Sequence, residues 1–350
     1  MLNNFISTAR SQGSPLLFRS IIGLAVIAVF AAAVAVVDTT AYGQAPEPVP
    51  SAGCTETPRP VGNSTLNFAA EGAVGSYIQD VPPGADHPLP LVLNLHGYLE
   101  PAIVAHYGTA LAPFGYLKGY VTITPQLDEL ALPQWDFGEG SRDMRYLSDL
   151  LTHVESTLCV DRLQIYVTGL SMGAFASSSL ACQLSDRIAA IAAVAGLQDF
   201  AWCRTTRPVP VLAFHGTADP IVAYTGGAGP LVRWLPSANG SSSPGPDQPD
   251  ATTRNGPGPQ SIPDDAAAWA RRNGCETEAT ERRIAPDVVL REYPCPADAT
   301  VQLYSIIGGG HIWPGSTSLL YPPLVVGNNT TSINANDVIW DFFRTHPLPG

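Results

Sequence analysis

Apolar residues in this chain gather into short continuous runs, and the stretches between them carry apolar positions three and four apart. The runs at 88–96 (PLPLVLNLH), 120–125 (YVTITP), 165–168 (IYVT), 188–194 and 208–214 (PVPVLAF) show no in–out alternation. That is the pattern of strands covered on both faces. The stretch 74–80 reads as an edge strand, and 288–293 and 300–307 as two further strands. Between them, Ser141 or Asp143 is positioned to cap a helix to about 158, with Met144, Leu147, Leu150, Leu151 and Val154 on one face. Weak helical spacing occupies 103–112. Stronger signals follow at 174–186, 264–273 and 336–346, the last with Val338, Ile339, Phe342 and Phe343 turned inward. Strands alternating with helices predict an α/β fold, a mostly parallel central sheet with helices on both faces. In such sheets ligands bind beyond the carboxyl ends of the strands.

The rhythm fails in two places. Residues 1–45 contain Arg10 and Arg19, an uncharged apolar run at 21–37 and the small-residue stretch TTAYGQA. This predicts a signal peptide, cleaved between about Ala41 and Ala45, or failing cleavage an N-terminal anchor. A Pro-rich spacer occupies 46–53, and a catalytic domain is expected over 54–350. Within it, about 225–262 is rich in Gly, Pro, Ser and Asp and reads as a surface insertion, with Trp234 positioned to line a cleft.

The chemistry is concentrated after the run at 165–168. Gly169-Leu170-Ser171-Met172-Gly173 stands between a buried strand and a small-residue helix, the strand–turn–helix context of a nucleophile elbow. A serine at so tight a turn lifts its Oγ clear of the sheet, and its flanking positions have room only for small residues. A serine hydroxyl needs a base, and the base needs a carboxylate to orient it. Downstream of Ser171 stand three histidines, His215, His311 and His346. His215 leaves too little chain between acid and base and is read as shaping its loop. His346 reads as a surface terminus. His311, on the Gly308-Gly309-Gly310 loop, is the candidate base, and Asp219, after the run at 208–214, the candidate acid. Asp337 reads as a helix N-terminal residue. Backbone donors for an oxyanion are expected at Met172 and at Tyr98 in the turn His96-Gly97-Tyr98, with Leu99 as the fallback. Trp135, Trp234 and Trp313 are candidates for an aromatic wall around substrate. No zinc-protease spacing, dinucleotide fingerprint or Walker loop is present, so neither metal nor cofactor is expected.

Composition narrows the class further. Over 350 residues the net charge is −12, and the arginines are scattered, which excludes a basic nucleic-acid footprint. Six cysteines, with no C-x-x-C pair, predict disulfides in an exported, extracellular chain. Fifteen pairings are open. Cys182–Cys203 and Cys275–Cys295 would each close a short loop, which would leave Cys54–Cys159 to pin the mature N-terminus.

The segments LVLNLHGY, YVTGLSMGA, VPVLAFHGTADP, AAAWARRNGC and GGGHIWPG, with the tryptophan loop at Trp135, resemble secreted esterases of the polyhydroxybutyrate depolymerase and feruloyl esterase type. These are close to the carbohydrate esterases that deacylate xylan, and the resemblance covers roughly 88–347. It implies an α/β-hydrolase fold, a Ser171–Asp219–His311 triad, and cleavage of plant cell-wall phenolic or acetyl esters or of hydroxyalkanoate esters. It also implies the pairings Cys182–Cys203 and Cys275–Cys295. Met172-Gly173-Ala174 at the elbow and Asp136-Phe137-Gly138-Glu139 after Trp135 depart from the family's usual residues. The expected partner is an ester substrate alone, with no nucleic acid, a membrane only through an uncleaved N-terminal segment, and a monomeric chain. An acyltransferase or peptidase on the same scaffold, or a binding protein keeping the fold, are the alternatives.

Overall fold

The computed structural model describes residues 46–350 apart from 56–58, 84–86, 128–131, 233–234 and 236–259. The signal-peptide expectation for 1–45, Trp234 and most of the Gly/Pro-rich insertion lie outside the described residues.

In chain order the strands are β1 (Gly62–Ala70), β2 (Ala73–Val81), β3 (Leu89–Leu95), β4 (Val121–Leu127), β5 (Val160–Leu170), β6 (Ala190–Val194), β7 (Val211–Gly216), β8 (Thr280–Ala285), β9 (Val288–Glu292) and β10 (Val301–Ile306). They form a sheet in the order β1-β2-β4-β3-β5-β6-β7-β10-β9-β8. From β4 to β10 every neighbouring pair is parallel. The flanking pairs β1·β2, β2·β4, β10·β9 and β9·β8 are antiparallel. The stretch expected as an edge strand, now β2, therefore lies one place in. The outer position belongs to β1, which returns through Glu71 and Gly72, both at positive φ, as a two-residue hairpin turn requires.

The continuous apolar runs have a direct cause. Leu91, Leu93, Leu95, Ile165, Val167, Ile191 and Val211 face one core. Val92, Tyr166, Ala190, Ala192, Leu212 and Phe214, on the alternate positions of those strands, face the other. Helices α3 (Arg142–Thr157), α4 (Met172–Gln183) and α5 (Ile262–Arg272) cover the first face. Helices α2 (Leu111–Lys118) and α7 (Ala335–Phe343) supply Leu111, Ile339, Phe342 and Phe343 to the second. The weak helical region splits in two: α1 (Ala102–Gly108) ends before Ala110, which takes the left-handed conformation, and α2 begins after it. Ser141 caps α3, accepting from the Met144 amide. Buried all round, α4 satisfies its serines locally, Ser177 and Ser178 donating to the carbonyls of Gly173 and Ala174.

All three disulfides are formed as expected, Cys54–Cys159, Cys182–Cys203 and Cys275–Cys295. They fit an exported chain. Among the described residues no helix is long and apolar enough to cross a membrane.

Candidate active site

Ser171 sits between β5 and α4 with φ 59° and ψ −120°, a conformation that a residue with a side chain adopts at a cost of about 1–3 kcal/mol. The surroundings enforce it. A Cβ at Gly173 would lie 2.1 Å from the Leu95 carbonyl oxygen, and one at Gly169 would lie 2.5 Å from the backbone of Gly173. The elbow is thus a backbone-to-backbone packing of β3 against the β5–α4 turn, possible only with glycine on both sides. The Ser171 amide donates to Val194 on β6 at 2.9 Å. Its side chain is half-buried, while Met172 and the rest of the first turn of α4 are buried. Met172 opens α4, where geometry leaves the first amides without an intrahelical acceptor.

Asp219 follows β7 through a short turn and is buried, its carboxylate fully engaged. Oδ1 accepts from the amides of Ile221 (2.8 Å) and Val222 (2.9 Å). Oδ2 lies 2.7 Å from Nδ1 of His311 and 3.1 Å from Nε2 of His215. Burial alone pushes this carboxyl up. The charge of His311 and the hydrogen bonds from both histidines outweigh burial and hold Asp219 well below the usual carboxylate range.

His311 follows β10 on the Gly308–Gly310 loop. A Cβ at Gly310 would meet the Val326 carbonyl oxygen at 2.0 Å, and a Cβ at Gly216 would meet that of Gly309 at 2.2 Å. Gly310 and Gly216 therefore serve close backbone packing of this loop against the 326–327 segment and the Asp219 turn, whereas Gly308, at φ 71° with open space beside it, supplies conformational freedom. Because β5, β7 and β10 run parallel, Ser171, Asp219 and His311 all lie at carboxyl ends on one rim of the sheet.

The turn after β3 forms the facing wall. His96 is buried, with Nδ1 2.8 Å from the Gly97 carbonyl and its ring against Trp135 at 4.6 Å between centroids. Burial lowers its pKa to about 4 against the weaker opposing pull of that carbonyl, so the ring is neutral. The Leu99 amide donates to Pro133 at 2.8 Å and the Gly97 amide to Glu100 at 2.6 Å. The fallback oxyanion donor, Leu99, is therefore already committed.

The aromatic wall takes a different form from the one expected. Trp135 and Trp313 are 3% and 1% exposed. Their indole N–H groups donate to the His96 carbonyl and to Asn336. They pack under the rim, since an indole this deep needs a polar partner and finds it in the fold. His215 was read as a loop residue and proves to touch the acid as well. Glu100 was not singled out, although it ends the HGYLE stretch of the turn after β3. His346 is half-buried, with Nε2 2.8 Å from the Thr300 hydroxyl. Asp337 lies in the first turn of α7, as expected. Among the described residues no cluster of His, Cys, Asp or Glu is arranged to hold a metal ion.

No family model matches the chain. It is 29% identical to a putative esterase, NocK, of Nocardia uniformis subsp. tsuyamanensis, over 93% of this chain and 97% of that protein. It is 27% identical to feruloyl esterase B of Piromyces equi over 65% of this chain, but spans only 40% of that protein. A bifunctional acetylxylan esterase/xylanase of Neocallimastix patriciarum is 27% identical over 38% of this chain and 19% of its own length. Among solved structures, the acetyl xylan esterase from Aspergillus awamori superposes with a TM-score of 0.54 at 13% identity, covering 81% of this chain and 99% of that one. That likeness shows the fold, an α/β-hydrolase.

Proposed function

We propose that this chain, similar in sequence to feruloyl and acetylxylan esterases and built on the α/β-hydrolase fold, is an exported carboxylic-ester hydrolase, a serine esterase working through an acyl-enzyme. Ser171 Oγ attacks the ester carbonyl while His311 Nε2 takes its proton. Asp219 fixes the tautomer with the proton on His311 Nδ1 and stabilises the imidazolium. The amides of Met172 and Tyr98 hold the oxyanion, each such donor contributing roughly 10²–10³ in rate. The tetrahedral intermediate collapses, the alcohol leaves with the proton from His311, and Ser171 carries the acyl group. Water, deprotonated by His311, then attacks the acyl-enzyme; the intermediate collapses with cleavage of the bond to Ser171 Oγ, which takes the proton back from His311 as the acid is released.

The observation that supports this reading is the strained Ser171 elbow on the same sheet rim as a buried His311–Asp219 pair at 2.7 Å. The names of the relatives support a substrate among feruloyl and acetyl esters of plant polysaccharide. Hydroxyalkanoate esters are the competing class, carried only by the sequence resemblance. The test is hydrolysis of p-nitrophenyl acetate, methyl ferulate, acetylated xylan and short hydroxybutyrate oligomers by the protein and by Ser171→Ala. A folded wild-type protein that cleaves none of them, and is not labelled at Ser171 by a fluorophosphonate, refutes the proposal.

A further inference from the structure

We propose that Glu100 is an acidic positioning residue of this site: its carboxylate ties the turn after β3 to the segment following His311, and its charge favours the protonated form of His311 during the reaction. This rests on the serine-esterase reading above.

Glu100 reaches back along its own turn, and Oε2 accepts from the Gly97 amide at 2.6 Å. Oε1 accepts from the Tyr321 hydroxyl at 2.8 Å. A Cβ at Gly97 would stand 3.0 Å from Glu100 Oε2 and 3.4 Å from Ser171 Cβ. The carboxylate and the nucleophile are therefore near neighbours, with Gly97 between them.

Tyr321 comes from the other side of the site. The segment beyond His311 crosses α1, where the Ser316 hydroxyl donates to the Gly108 carbonyl at 2.7 Å. Any side chain at Gly108 would collide with the Tyr321 ring, its Cβ only 2.5 Å away. The same segment returns through α6 (Pro323–Val326), whose last carbonyl accepts from the His311 amide. Glu100 thus joins two parts of the rim that are more than two hundred residues apart in the chain: the turn that offers the Tyr98 amide and the segment that carries the base.

A group in this place feels His311. Burial pushes the Glu100 carboxyl up, while the Gly97 amide, the Tyr321 hydroxyl and the positive charge of His311 pull the other way. Coupling between two titrating sites is reciprocal, so an ionised Glu100 favours the charged imidazole by the amount that the imidazole favours the carboxylate. Tyr321 and His311 are the titratable groups placed against Glu100. Asp219 faces His311 from the β7 turn, with His215 behind that acid, and His96 at the end of β3 is neutral.

Two variants separate the tie from the charge. Glu100→Gln keeps an acceptor for the Gly97 amide and removes the charge. Tyr321→Phe keeps the charge and removes a donor. The measurement is kcat and KM for p-nitrophenyl acetate from pH 4 to 9, with melting temperatures alongside. For Glu100→Gln the acid limb of kcat/KM is expected to move to lower pH by half a unit or more, because the imidazolium has lost a nearby anion. For Tyr321→Phe kcat is expected to fall severalfold with KM within twofold of wild type, because the turn is held less firmly. A merely structural role would lower the melting temperature and leave the limb in place. An acid limb of Glu100→Gln that superposes on the wild-type limb, or an unchanged kcat in Tyr321→Phe, overturns the proposal. Each variant is decisive alone should the other fail to fold. If the wild-type protein itself neither hydrolyses esters nor takes up a fluorophosphonate at Ser171, it is the esterase reading that fails.

Discussion

His215 Nε2 lies 3.1 Å from Oδ2 of Asp219, the same oxygen that His311 Nδ1 meets at 2.7 Å. The second neighbour of that Nε2 is the Val222 carbonyl, at 2.9 Å. Both partners are acceptors, so Nε2 carries the proton. The other ring nitrogen, Nδ1, is buried without a hydrogen-bond partner. His215 is a donor behind the acid, helping to hold the carboxylate ionised and aimed at the base.

Gln is the test of that role, because its side-chain nitrogen falls close to the position of Nε2. His215→Phe keeps the shape and has no donor. We expect His215→Phe to lose about tenfold in kcat, the order of one charge-assisted hydrogen bond, with KM little changed. His215→Gln should recover most of the loss. Steady-state kinetics on p-nitrophenyl acetate check this. Equal activity of the Phe and Gln variants would show that only the volume of the ring matters.

Gly173→Ala makes a prediction whose sign opposes helix propensity. In an ordinary helix the change stabilises by about 0.5–1 kcal/mol. Here the new Cβ would sit 2.1 Å from the Leu95 carbonyl oxygen and 2.8 Å from that of His96. The first turn of α4 must shift, taking the Met172 amide and Ser171 with it. The expected outcome is a lower melting temperature together with a loss of kcat of at least a hundredfold, the scale of one displaced oxyanion donor. Thermal melts and kcat on the same preparation decide it. A variant as stable and as active as wild type would mean that the elbow is looser than its packing indicates.

The sheet was legible where it is buried on both faces, because only there do the runs lose their alternation. Residues 190–194 are uniformly apolar, and 91–95 are apolar but for Asn94, for that reason. β1 and β8 escaped notice because they are outer strands with little to bury: GNSTLNFAA and TERRIA are mostly exposed and polar. α2 was hidden by Pro113 and Gly115 and by the left-handed Ala110 before it. At the site, Ser171, Asp219 and His311 could be read because each sits in a local motif fixed by backbone geometry. The places of Glu100 and His215 could not be read, since their meaning lies in Tyr321, Gly97 and Asp219, contacts that only the tertiary fold makes. Trp135 and Trp313 misled for a related reason. An indole suits a cleft and a core equally, and sequence does not give its depth.

The Cys54–Cys159 bridge predicts a stability effect without a catalytic one. It spans 105 residues and fastens the N-terminal segment to the start of β5. Ser51 accepts there from the Val160 amide and donates to the Leu158 carbonyl. The end of β5 that it secures is the amino end, a full strand length from Ser171. Removing a bridge over so long a loop costs about 2–5 kcal/mol. Cys54→Ser/Cys159→Ser is therefore expected to unfold at a clearly lower denaturant midpoint while retaining kcat and KM at 25 °C. A lost kcat in the folded double variant would mean that strain passes along β5 to the elbow.

Asp265 sets a pH dependence of stability. It lies buried in the first turn of α5, with Oδ1 accepting from the Asp199 amide at 3.0 Å and Oδ2 buried without a partner. Burial first, and then the like charges of Asp199 and Asp264, push its pKa up to about 7 against the pull of that amide. A carboxyl whose folded-state pKa lies above its unfolded value of 3.8 binds more protons folded than unfolded between those two values. Its contribution to stability therefore falls as pH rises from about 4 to 7 and stays at its low level above that. Asp265→Asn removes the charge and keeps an acceptor for the Asp199 amide. The variant is expected to gain on the order of 1–3 kcal/mol over wild type at pH 8 and much less at pH 4.5. Other carboxylates titrate in both proteins, so the readout is the difference between their urea midpoints at each pH. A difference that does not change between pH 4.5 and pH 8 would place the Asp265 titration outside this window.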